Sequence, residues 1–444
     1  ISVELTDTRD STSLWAQTYN RDIADTLRVQ DEIASRVASV LRVVVPSTAD
    51  VATRIDPKAL DIYLRMGETP VGPVSIKEMA AAAARLRQVV KLAPDFAPAW
   101  ADLAFMDSYR VESDVAHRAE IAREGRNAAE KAIALDPSLG PAYAGLARLI
   151  FDGTNWAEQE NVFLRGLEAA PNDPDLLSAY GELLLVQTGR LNEAVNIAAK
   201  ARALDPLARS IVYDYRQALI LVGRLDEVEK ELREEVPHYD LFDPWYGVIL
   251  SRLARGEVAR ARDGVTELRR QIEALRTNAP EGTNTPADFY AVAASTLEQF
   301  DSLVGLVEKK NPETVDLAVA AALEEAKKGQ GNALYSALPL LATLGRQTEL
   351  LGMIRTLYIE GGFVPAEPLP DSVFAEFPNR RPPPDMLFSV LAETLRRDPA
   401  FFEVFFATGH VKYWSETGRW PDFCADPALP YSCAEESARL LATH

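Results

Sequence analysis

The residues of this chain that could carry out chemistry are few and widely spaced. Its two cysteines, Cys424 and Cys433, are separated by the proline-rich octapeptide ADPALPYS, which is short enough to close as a small loop. The pair either forms a disulfide, which would suit an oxidising compartment, or remains as two unrelated thiols. Because the chain has no other cysteine, we favour the disulfide.

The remaining candidates for catalysis do not form a recognisable constellation. The four histidines, His117, His238, His410 and His444, are isolated in sequence and have no metal-ligand spacing. There is no glycine-rich phosphate loop, no His-Glu-x-x-His and no Gly-x-Ser-x-Gly nucleophile elbow. The sequence therefore predicts a non-catalytic protein without a cofactor or metal. An α-toroid enzyme with paired acids is the less favoured alternative.

The charge balance restricts the classes of partner. The chain has 66 acidic and 47 basic residues, which gives a formal net charge of −19. Because binding to phosphates needs clustered lysine and arginine, we expect no nucleic-acid surface and no docking on anionic lipid in this region. No stretch reaches the roughly 18 apolar residues of a membrane helix, so we expect no membrane insertion by this region. The acidic charge favours solubility, and we interpret it as an ordinary solvated surface, with a basic partner as the less favoured alternative.

The helices that must position any site are separated by prolines that recur along the sequence. In segments such as ALDPSLGPAYAGLARLI a proline ends one apolar helical run, and a second run begins within a few residues. The helix-ending prolines Pro94, Pro137, Pro171, Pro206 and Pro237 are separated by 43, 34, 35 and 31 residues. The longest step is explained by an insertion around RVESDVAHR. The chain therefore contains a repeat of two helices per unit.

Residue types within the units agree with this period. Each first helix has large residues and small residues at fixed spacing, and the second helices have small residues that allow close packing. Examples are Trp100, Leu103 and Ala104, then Tyr143, Leu146 and Ala147, then Ala194, Ala198 and Ala201. The glycines in QTGRLNEA, LVGRLDEV, LARGEVARA and TLGRQTEL predict left-handed turns between helices.

Together these features resemble the tetratricopeptide repeat (TPR) family, well over residues 57–275 and in degraded form over residues 285–360. The resemblance implies an all-α fold, a TPR-type right-handed α-solenoid in which the first helices line a concave groove. Beyond residue 275 the prolines lose their phase. There LRTNAPEGTNTPADF is predicted as a loop, and Pro339 takes a small-residue position in a final helix pair.

Mapping the repeat onto this sequence places eight residues on the groove side. Aromatic and arginine side chains are the anchors that a peptide groove would use, although each is equally well explained as a partly buried packing residue. The eight candidates are Phe105, Tyr109, Arg148, Phe151, Glu182, Tyr213, Gln217 and Arg252. We therefore expect a protein or peptide partner in the concave groove.

Residues 1–46 follow a different pattern. ISVELTD and SLWAQTY alternate apolar and polar residues around TRDST, which predicts a β-hairpin, and LRVQDEIASRVASVLRVVV predicts an amphipathic helix with Val29, Ile33, Val37 and Leu41 on one face. A lone hairpin is barely stable in water, so it must pack on something and offers a route to a homo-oligomer. The segment resembles the end of the α/β TolB-like domain that precedes TPR arrays in bacterial CadC-type transcription regulators and TPR-bearing adenylate cyclases.

Two segments follow the array. Residues 361–385 contain PAEPLPDSVFAEFPNRRPPPD, which is predicted as an extended proline-rich connector. Residues 386–444 resemble the ending of the same regulators in GHVKYWSETGRWPDFCADPALPYSC. We expect Trp414, Trp420 and Phe423 to form a helical cap over the last helices of the solenoid, pinned by the cysteine loop. An aromatic cage for a ligand is the alternative.

The resemblance implies a sensor or scaffold region of a larger signalling or transcription-regulatory protein, anchored in the membrane with this part in the periplasm. The start at Ile1 rather than Met indicates a fragment or a processed form. The alternative is a cytoplasmic regulatory array attached to an adenylate cyclase. The redox state of Cys424 and Cys433 distinguishes the two compartments.

Overall fold

Helices make up almost all of the secondary structure in the computed structural model of this chain. The structure describes residues 2–6, 13–18, 33, 55–68, 76–113, 117–150, 155–235, 242–278, 289–309, 311–327, 331–360 and 385–443. The chain divides into two compact units, Ile1–Gly145 and Leu146–His444. The all-α fold class expected from the sequence is therefore confirmed, and the β-structure of the described residues is one small hairpin.

Some predictions fall outside the described residues. They concern the helix-ending Pro237, the greater part of the loop after residue 275, the connector up to residue 384, the candidate Phe151, and Val29, Val37 and Leu41 of the predicted amphipathic helix.

The first unit begins with the hairpin that the alternating pattern predicts. Strands β1 (Ser2–Thr6) and β2 (Ser13–Thr18) pair antiparallel, with Leu5 opposite Trp15. The Ser2 and Thr18 hydroxyls, which lie opposite each other at the end of the ladder, are 3.0 Å apart. This pairing confirms the predicted hairpin.

Helices follow the hairpin in the first unit, and each of the first three packs on the next along the chain. They are α1 (Pro57–Leu64), which continues as a 3₁₀ turn (Arg65–Glu68), α2 (Ile76–Leu92), α3 (Ala97–Ser113), α4 (Arg118–Leu135) and α5 (Gly140–Ile150), which crosses into the second unit. Helix α1 begins at an Asp-Pro pair because the Asp56 carboxylate accepts hydrogen bonds from the backbone N–H groups of Lys58 and Ala59 at 2.8 and 3.2 Å.

The small residues of the repeat pattern allow these helices to pack closely. Ala101, Ala132 and Ala142 form one buried cluster between α3, α4 and α5. A Cβ atom added at Gly145 would lie 3.1 Å from the backbone of Ala104, so α3 and α5 approach each other through their main chains there. The predicted role of small residues in helix packing is therefore confirmed in this unit.

The second unit continues the succession of helices. Its elements up to residue 358 are α6 (Trp156–Ala169), α7 (Pro174–Tyr180) with a following π-helical turn (Gly181–Val186), α8 (Leu191–Leu204), α9 (Arg209–Leu221), α10 (Leu225–Glu234), α11 (Phe242–Ala254), α12 (Val258–Asn278), α13 (Phe289–Lys309), α14 (Pro312–Lys327), α15 (Gly331–Thr343) and α16 (Gln347–Tyr358). The final predicted helix pair is present as α15 and α16, and Pro339 lies inside α15.

Four glycine turns join helices of this unit with one geometry. Gly189, Gly223, Gly256 and Gly345 have φ between 68° and 79°, as the four glycine motifs predict. In each turn the glycine N–H donates to the carbonyl three residues earlier, and the next N–H donates to the carbonyl five residues earlier. This arrangement satisfies carbonyl groups that the end of a helix leaves without partners.

Helix α11 lies at the centre of the core that follows residue 195. It packs against α9, α10, α12, α13 and α15. Its Trp245 is fully buried, and the indole N–H donates to Gln271 Oε1 at 3.0 Å, while Gln271 Nε2 donates to the Leu232 carbonyl at 2.6 Å. The buried indole N–H of Trp245 and the amide of Gln271 therefore both have hydrogen-bond partners.

Residues 385–443 form a compact segment, here termed the C-terminal clasp. It contains α17 (Asp385–Phe388), three 3₁₀ turns (Val390–Ala392, Leu395–Arg397 and Pro399–Phe401), α18 (Phe402–Ala407), α19 (His410–Thr417), a 3₁₀ turn (Asp422–Ala425) and α20 (Cys433–Thr443). A disulfide joins Cys424 in its last turn to Cys433 at the start of α20.

The clasp contacts the last helix pair, but its aromatic residues pack elsewhere. Arg355 of α16 pairs with Glu403 at 2.6 Å, and the turn at residues 390–392 contacts α11 and α15. The aromatic side chains lie instead against α6 and the Gly189 turn, more than 200 residues earlier in the chain. The prediction of a cap over the last helices therefore omitted this second contact, because a repeat pattern contains no information on long-range packing.

Backbone carbonyl groups of the Gly189 turn accept hydrogen bonds from the clasp. The indole N–H of Trp414 donates to the Thr188 carbonyl at 3.1 Å, and the Asp422 N–H donates to the Gly189 carbonyl at 2.9 Å. In return the N–H of Asn192 in α8 donates to the Asp422 carboxylate at 2.7 Å. The clasp thus completes the hydrogen bonding of this turn and of the helix start beside it.

A buried ion network reinforces the same interface. Glu160 of α6, with a side chain only 3% exposed, accepts hydrogen bonds from Arg190 at 2.5 Å and from the Tyr413 hydroxyl at 2.9 Å, and it pairs with Arg419. Although burial opposes ionisation, these partners hold the pKa of Glu160 below its usual value. Glu160 therefore carries a buried negative charge that joins α6, the Gly189 turn and the clasp.

Replacing Gly189 by alanine should destabilise the protein more than replacing Gly345. Both glycines have positive φ, so a side chain costs about 1 kcal/mol in either turn. A Cβ at Gly189 would also lie 2.5 Å from the Phe388 ring and 2.7 Å from Pro421, whereas Gly345 has open space. We expect Gly189→Ala to lower the free energy of unfolding in urea by about 1–3 kcal/mol more than Gly345→Ala. Equal losses would show that the clasp does not pack on this turn.

Replacing Glu160 by glutamine should destabilise the protein more than the same replacement at Glu193, which lies in an exposed ion pair. Glu160→Gln removes the charge that compensates Arg190 and Arg419, and we expect a loss of about 3 kcal/mol in the free energy of unfolding. Glu193 also pairs with Arg190, but its side chain is 44% exposed, so Glu193→Gln should cost less than about 1 kcal/mol. Similar losses in the two variants would contradict a buried network.

Candidate functional site

Two of the predicted groove residues lie in the first unit and contact each other. Phe105 and Tyr109 of α3 are half-buried, and their rings pack edge to face with centroids 5.1 Å apart. Nearby, Asp107 is fully buried and pairs with Arg87 at 2.9 Å and with Arg110 at 2.6 Å. Because both pairs involve a buried carboxylate, Asp107 helps to hold α3 against its neighbours.

Arg252 has an interior position that does not suit a groove anchor. The residue is only 3% exposed, and its guanidinium pairs with Glu229 at 2.8 Å, with Glu257 at 2.5 Å and with Asp226. It therefore connects α10, α11 and the start of α12. Its replacement by alanine would remove a buried guanidinium that links these elements, so it cannot serve as a simple test of ligand binding.

Two other predicted groove residues, Arg148 and Glu182, lie in the second unit near Ser178 and Asp214, which were not predicted. We term these four residues the polar cluster. Arg148 of α5 pairs with Glu182 Oε2 at 3.1 Å. The Ser178 hydroxyl of α7 donates to Asp214 Oδ2 of α9 at 2.6 Å. The cluster thus joins the helices α5, α7 and α9.

The contacts of the cluster join residues at similar separations in the sequence. Arg148 and Glu182 are 34 residues apart, and Ser178 and Asp214 are 36 residues apart. Ser178 and Glu182 are four positions apart on one helical face. At Gly181 the α-helix changes to a π-helical turn, a feature that occurs frequently at functional sites, and Glu182 lies in that turn.

The Asp214 carboxyl is the electrostatically unusual member of the cluster. Burial, with a further contribution from the Glu182 charge, raises its pKa to about 7, whereas the Ser178 hydrogen bond and the Arg148 charge act in the opposite direction. The Glu182 side chain is 39% exposed and the Arg148 side chain 12% exposed, so the cluster is reached from solvent on the Glu182 side. Asp214 therefore changes charge near neutral pH.

Two further predicted groove residues flank Asp214 on α9. Tyr213 is 37% exposed, and Gln217, three positions after Asp214, is half-buried. Sequence analysis predicted Arg148, Glu182, Tyr213 and Gln217 but omitted Ser178 and Asp214. Ser178 could have been identified because it lies four residues before the predicted Glu182. Asp214 could have been identified because it lies between the predicted Tyr213 and Gln217.

The aromatic residues of the clasp are packing residues, which argues against the cage alternative. Trp414, Phe401, Phe402 and Phe405 are completely buried. Trp414 packs against Phe402 and Phe405 with ring centroids 5.9 and 5.1 Å apart. Trp420 is half-buried at the edge of this group, 6.4 Å from Trp414. The fully buried rings pack against one another as core residues do.

His410 is enclosed by these rings. It is completely buried beside Trp156 and Trp414, with ring centroids 5.0 and 5.4 Å away. Its Nε2–H donates to the Gln187 carbonyl at 2.8 Å, and its Nδ1 lies 2.7 Å from the Thr408 hydroxyl. Burial lowers the pKa of His410 to about 4, so this side chain is neutral at physiological pH.

Within the described part of the chain, no three histidine, cysteine, aspartate or glutamate side chains converge as metal ligands. None of its helices combines the length and apolar character needed to cross a membrane.

No protein-family model matches this chain, and no curated protein matches it either.

The buried His410 predicts acid sensitivity of the clasp. The unfolded chain takes up a proton on this side chain below pH 6.5, whereas the folded protein does so only near pH 4. The free energy of unfolding should therefore fall as the pH falls from 6.5 towards 4, by about 2 kcal/mol at pH 5 from this group alone. Unfolding in urea at pH 7.5 and pH 5 measures the change.

His410→Gln provides the comparison for this measurement, since it removes the titrating group and leaves other ionisable residues, including Asp214, in place. We expect the pH dependence of the variant to be shallower than that of the unmodified protein by the same amount. Parallel pH dependences in the two proteins would show that His410 does not control this behaviour.

Proposed function

We propose that the chain is a non-catalytic scaffold or sensor region that binds a protein or peptide on the face formed by the first helices of its repeat units. The observation that carries this proposal is the polar cluster. It brings charged side chains from α5, α7 and α9 to one partly exposed surface. Side chains contributed at regular spacing by successive helices are what an extended peptide requires of a binding surface.

The fold within this proposal is a TPR-type right-handed α-solenoid. Its support is the repeated glycine turn at Gly189, Gly223, Gly256 and Gly345, together with the 34-residue spacing of Arg148 and Glu182. The proposed parent is a bacterial regulatory protein with TPR repeats preceded by a TolB-like domain. The β1–β2 hairpin is compatible with that parent.

A location outside the cytoplasm forms part of the proposal. The Cys424–Cys433 disulfide supports it, because disulfides persist in oxidising compartments such as the periplasm. The periplasmic region of a membrane-anchored regulator is therefore the proposed setting.

Selection of phage-displayed peptides on the purified chain, followed by affinity measurements on synthetic copies, tests the proposal. The test variant combines Glu182→Ala with Tyr213→Ala, two positions that are exposed in part on adjacent first helices. We expect it to weaken binding at least tenfold, or about 1.4 kcal/mol.

A matched control is Arg262→Ala combined with Glu308→Ala, an exposed ion pair between α12 and α13. This control should bind the selected peptides with unchanged affinity. Full retention of binding by the Glu182/Tyr213 variant, or an equal loss in the control, would rule out the proposed face.

A further inference from the structure

The two ends of the Cys424–Cys433 disulfide differ in exposure. Cys424 is only half-buried in the 3₁₀ turn Asp422–Ala425, here termed the docking turn, whereas Cys433 is 5% exposed at the start of α20. In thiol–disulfide exchange an external thiolate attacks one sulfur, and the other sulfur departs as a thiolate. The difference in exposure makes Cys424 the sulfur that is open to attack and Cys433 the leaving group.

The position of Cys433 favours its departure as a thiolate. It is the first residue of α20, and the positive end of a helix dipole stabilises a thiolate. Ser437 follows one turn later on the same buried face of α20 and is 1% exposed. Its hydroxyl has no hydrogen-bond partner in the described part of the chain. Because a buried donor without an acceptor is costly, a thiolate at Cys433 would stabilise this hydroxyl as well as be stabilised by it.

Two carboxylates in the first turn of α20 act against a negative charge at Cys433, but only weakly. Glu435 is exposed to solvent, which screens its charge. Glu436 pairs with Arg439, three residues later on the same helix. The net field at the start of α20 therefore remains compatible with a thiolate.

The disulfide fastens the part of the clasp that contacts the Gly189 turn. Within the docking turn, the Asp422 N–H donates to the Gly189 carbonyl at 2.9 Å, and the Asp422 carboxylate accepts from the Asn192 N–H at 2.7 Å. Phe423 stacks on Phe405 with ring centroids 5.7 Å apart. At the other end of the bond, α20 packs on α18 and α19. The bond therefore ties the docking turn to the helices of the clasp.

We propose that the Cys424–Cys433 disulfide is a redox-sensitive latch, which an external dithiol reduces in the folded protein and whose opening loosens the docking turn from the Gly189 turn. This inference goes beyond the proposed peptide-binding face and does not depend on it. The docking turn and its contacts with Gly189 and Asn192 are the elements that respond.

The reduction proceeds in two steps. A thiolate of the dithiol forms a bond with Cys424 Sγ, the Cys424–Cys433 bond breaks, and Cys433 leaves as a thiolate that takes up a proton. The second thiol of the dithiol then attacks this mixed disulfide and releases Cys424, which takes the proton that the second thiol gives up. The dithiol is oxidised to a disulfide, and its two electrons reduce the two cysteines to thiols.

Opening of the latch acts through the entropy of the loop that the bond closes. The two cysteines are 9 positions apart, and closing a loop of this length restricts the detached state by up to about 100-fold (about 2.7 kcal/mol). After reduction the docking turn should therefore detach more often by up to this factor. The amide hydrogens of Asp422 and Asn192, which are held by its contacts, should then exchange faster with solvent.

The first test treats the intact chain with dithiothreitol at pH 7.5 without denaturant and counts free thiols by alkylation and mass spectrometry. We expect complete reduction while circular dichroism shows that the protein stays helical. Glutathione, a monothiol, should form its mixed disulfide at Cys424 and leave Cys433 free to be alkylated. Reduction that occurs only after urea has unfolded the protein, or a mixed disulfide at Cys433, overturns the inference.

The second test measures amide hydrogen exchange by NMR before and after reduction. Asn192 and Asp422 should exchange at least about tenfold faster in the reduced protein. The N–H of Arg224, which donates to the Leu219 carbonyl in the corresponding Gly223 turn, is the control and should keep its exchange rate. Unchanged exchange at Asn192 and Asp422 in the reduced, folded protein, or an equal increase at Arg224, overturns the inference.

A variant without the bond separates the latch from side effects of the reductant. Cys424→Ser combined with Cys433→Ser should show the exchange rates of the reduced protein, and dithiothreitol should not change them. Rates equal to those of the oxidised protein in this variant, with circular dichroism showing that it is folded, would contradict the latch.

Ser437→Ala tests the leaving group. Removing a buried hydroxyl that has no partner should not lower the unfolding temperature, but reduction should slow by at least about threefold. In the reduced variant, Cys433 should react with iodoacetamide only at higher pH than in the unmodified protein, a change that a purely structural role of Ser437 would not produce. Ser108→Ala, at a buried serine of α3, is the control and should change neither. An unchanged reduction rate in Ser437→Ala would contradict departure of the sulfur at Cys433.

Discussion

The second unit depends on one buried ion pair, that between Glu160 and Arg190. Arg190 follows the left-handed Gly189, and Glu160 lies on α6, so the pair links α6 to the turn before α8. Tyr413 and Arg419 of the C-terminal clasp contact the same carboxylate. A charge that is costly to bury is stable here because every neighbouring element contributes a donor. The clasp thereby closes a contact over about 250 residues of chain, which a stack of repeats alone would not provide.

The glycine turns illustrate how the same local geometry acquires different roles. Gly189 and Gly345 have the same sign of φ and the same hydrogen-bond pattern, because the sequence around both is a glycine followed by arginine at the end of a helix. Only at Gly189 do Phe388 and Pro421 lie close enough to exclude a side chain. Local sequence thus determines the turn, and tertiary packing determines whether the turn tolerates substitution.

Much of the fold could be predicted from the sequence because its signals are local. The proline stops, the positive-φ glycines and the alternating pattern of the hairpin each depend on a few neighbouring residues. The location of the clasp on α6 could not be predicted, since Trp156 and Thr408, which share a hydrogen bond, are 252 residues apart without any common motif. The repeat pattern predicted a groove position for Arg252. Its three carboxylate partners could not be predicted, because they meet it only in the folded protein. The polar cluster was partly predictable because Arg148 and Glu182 follow the repeat period.

The distribution of arginine explains why the candidate site is acidic in character. Between the helices of the second unit, arginine side chains are already engaged: Arg202 with Glu231, Arg216 with Glu231 and Glu235, and Arg252 with three carboxylates. These pairs connect successive helices and so contribute to the array rather than to a ligand. Asp214 faces a hydroxyl at the equivalent type of junction. Because Asp214 is paired with a hydroxyl group, burial and the neighbouring Glu182 charge leave the pKa of its carboxyl well above the usual value.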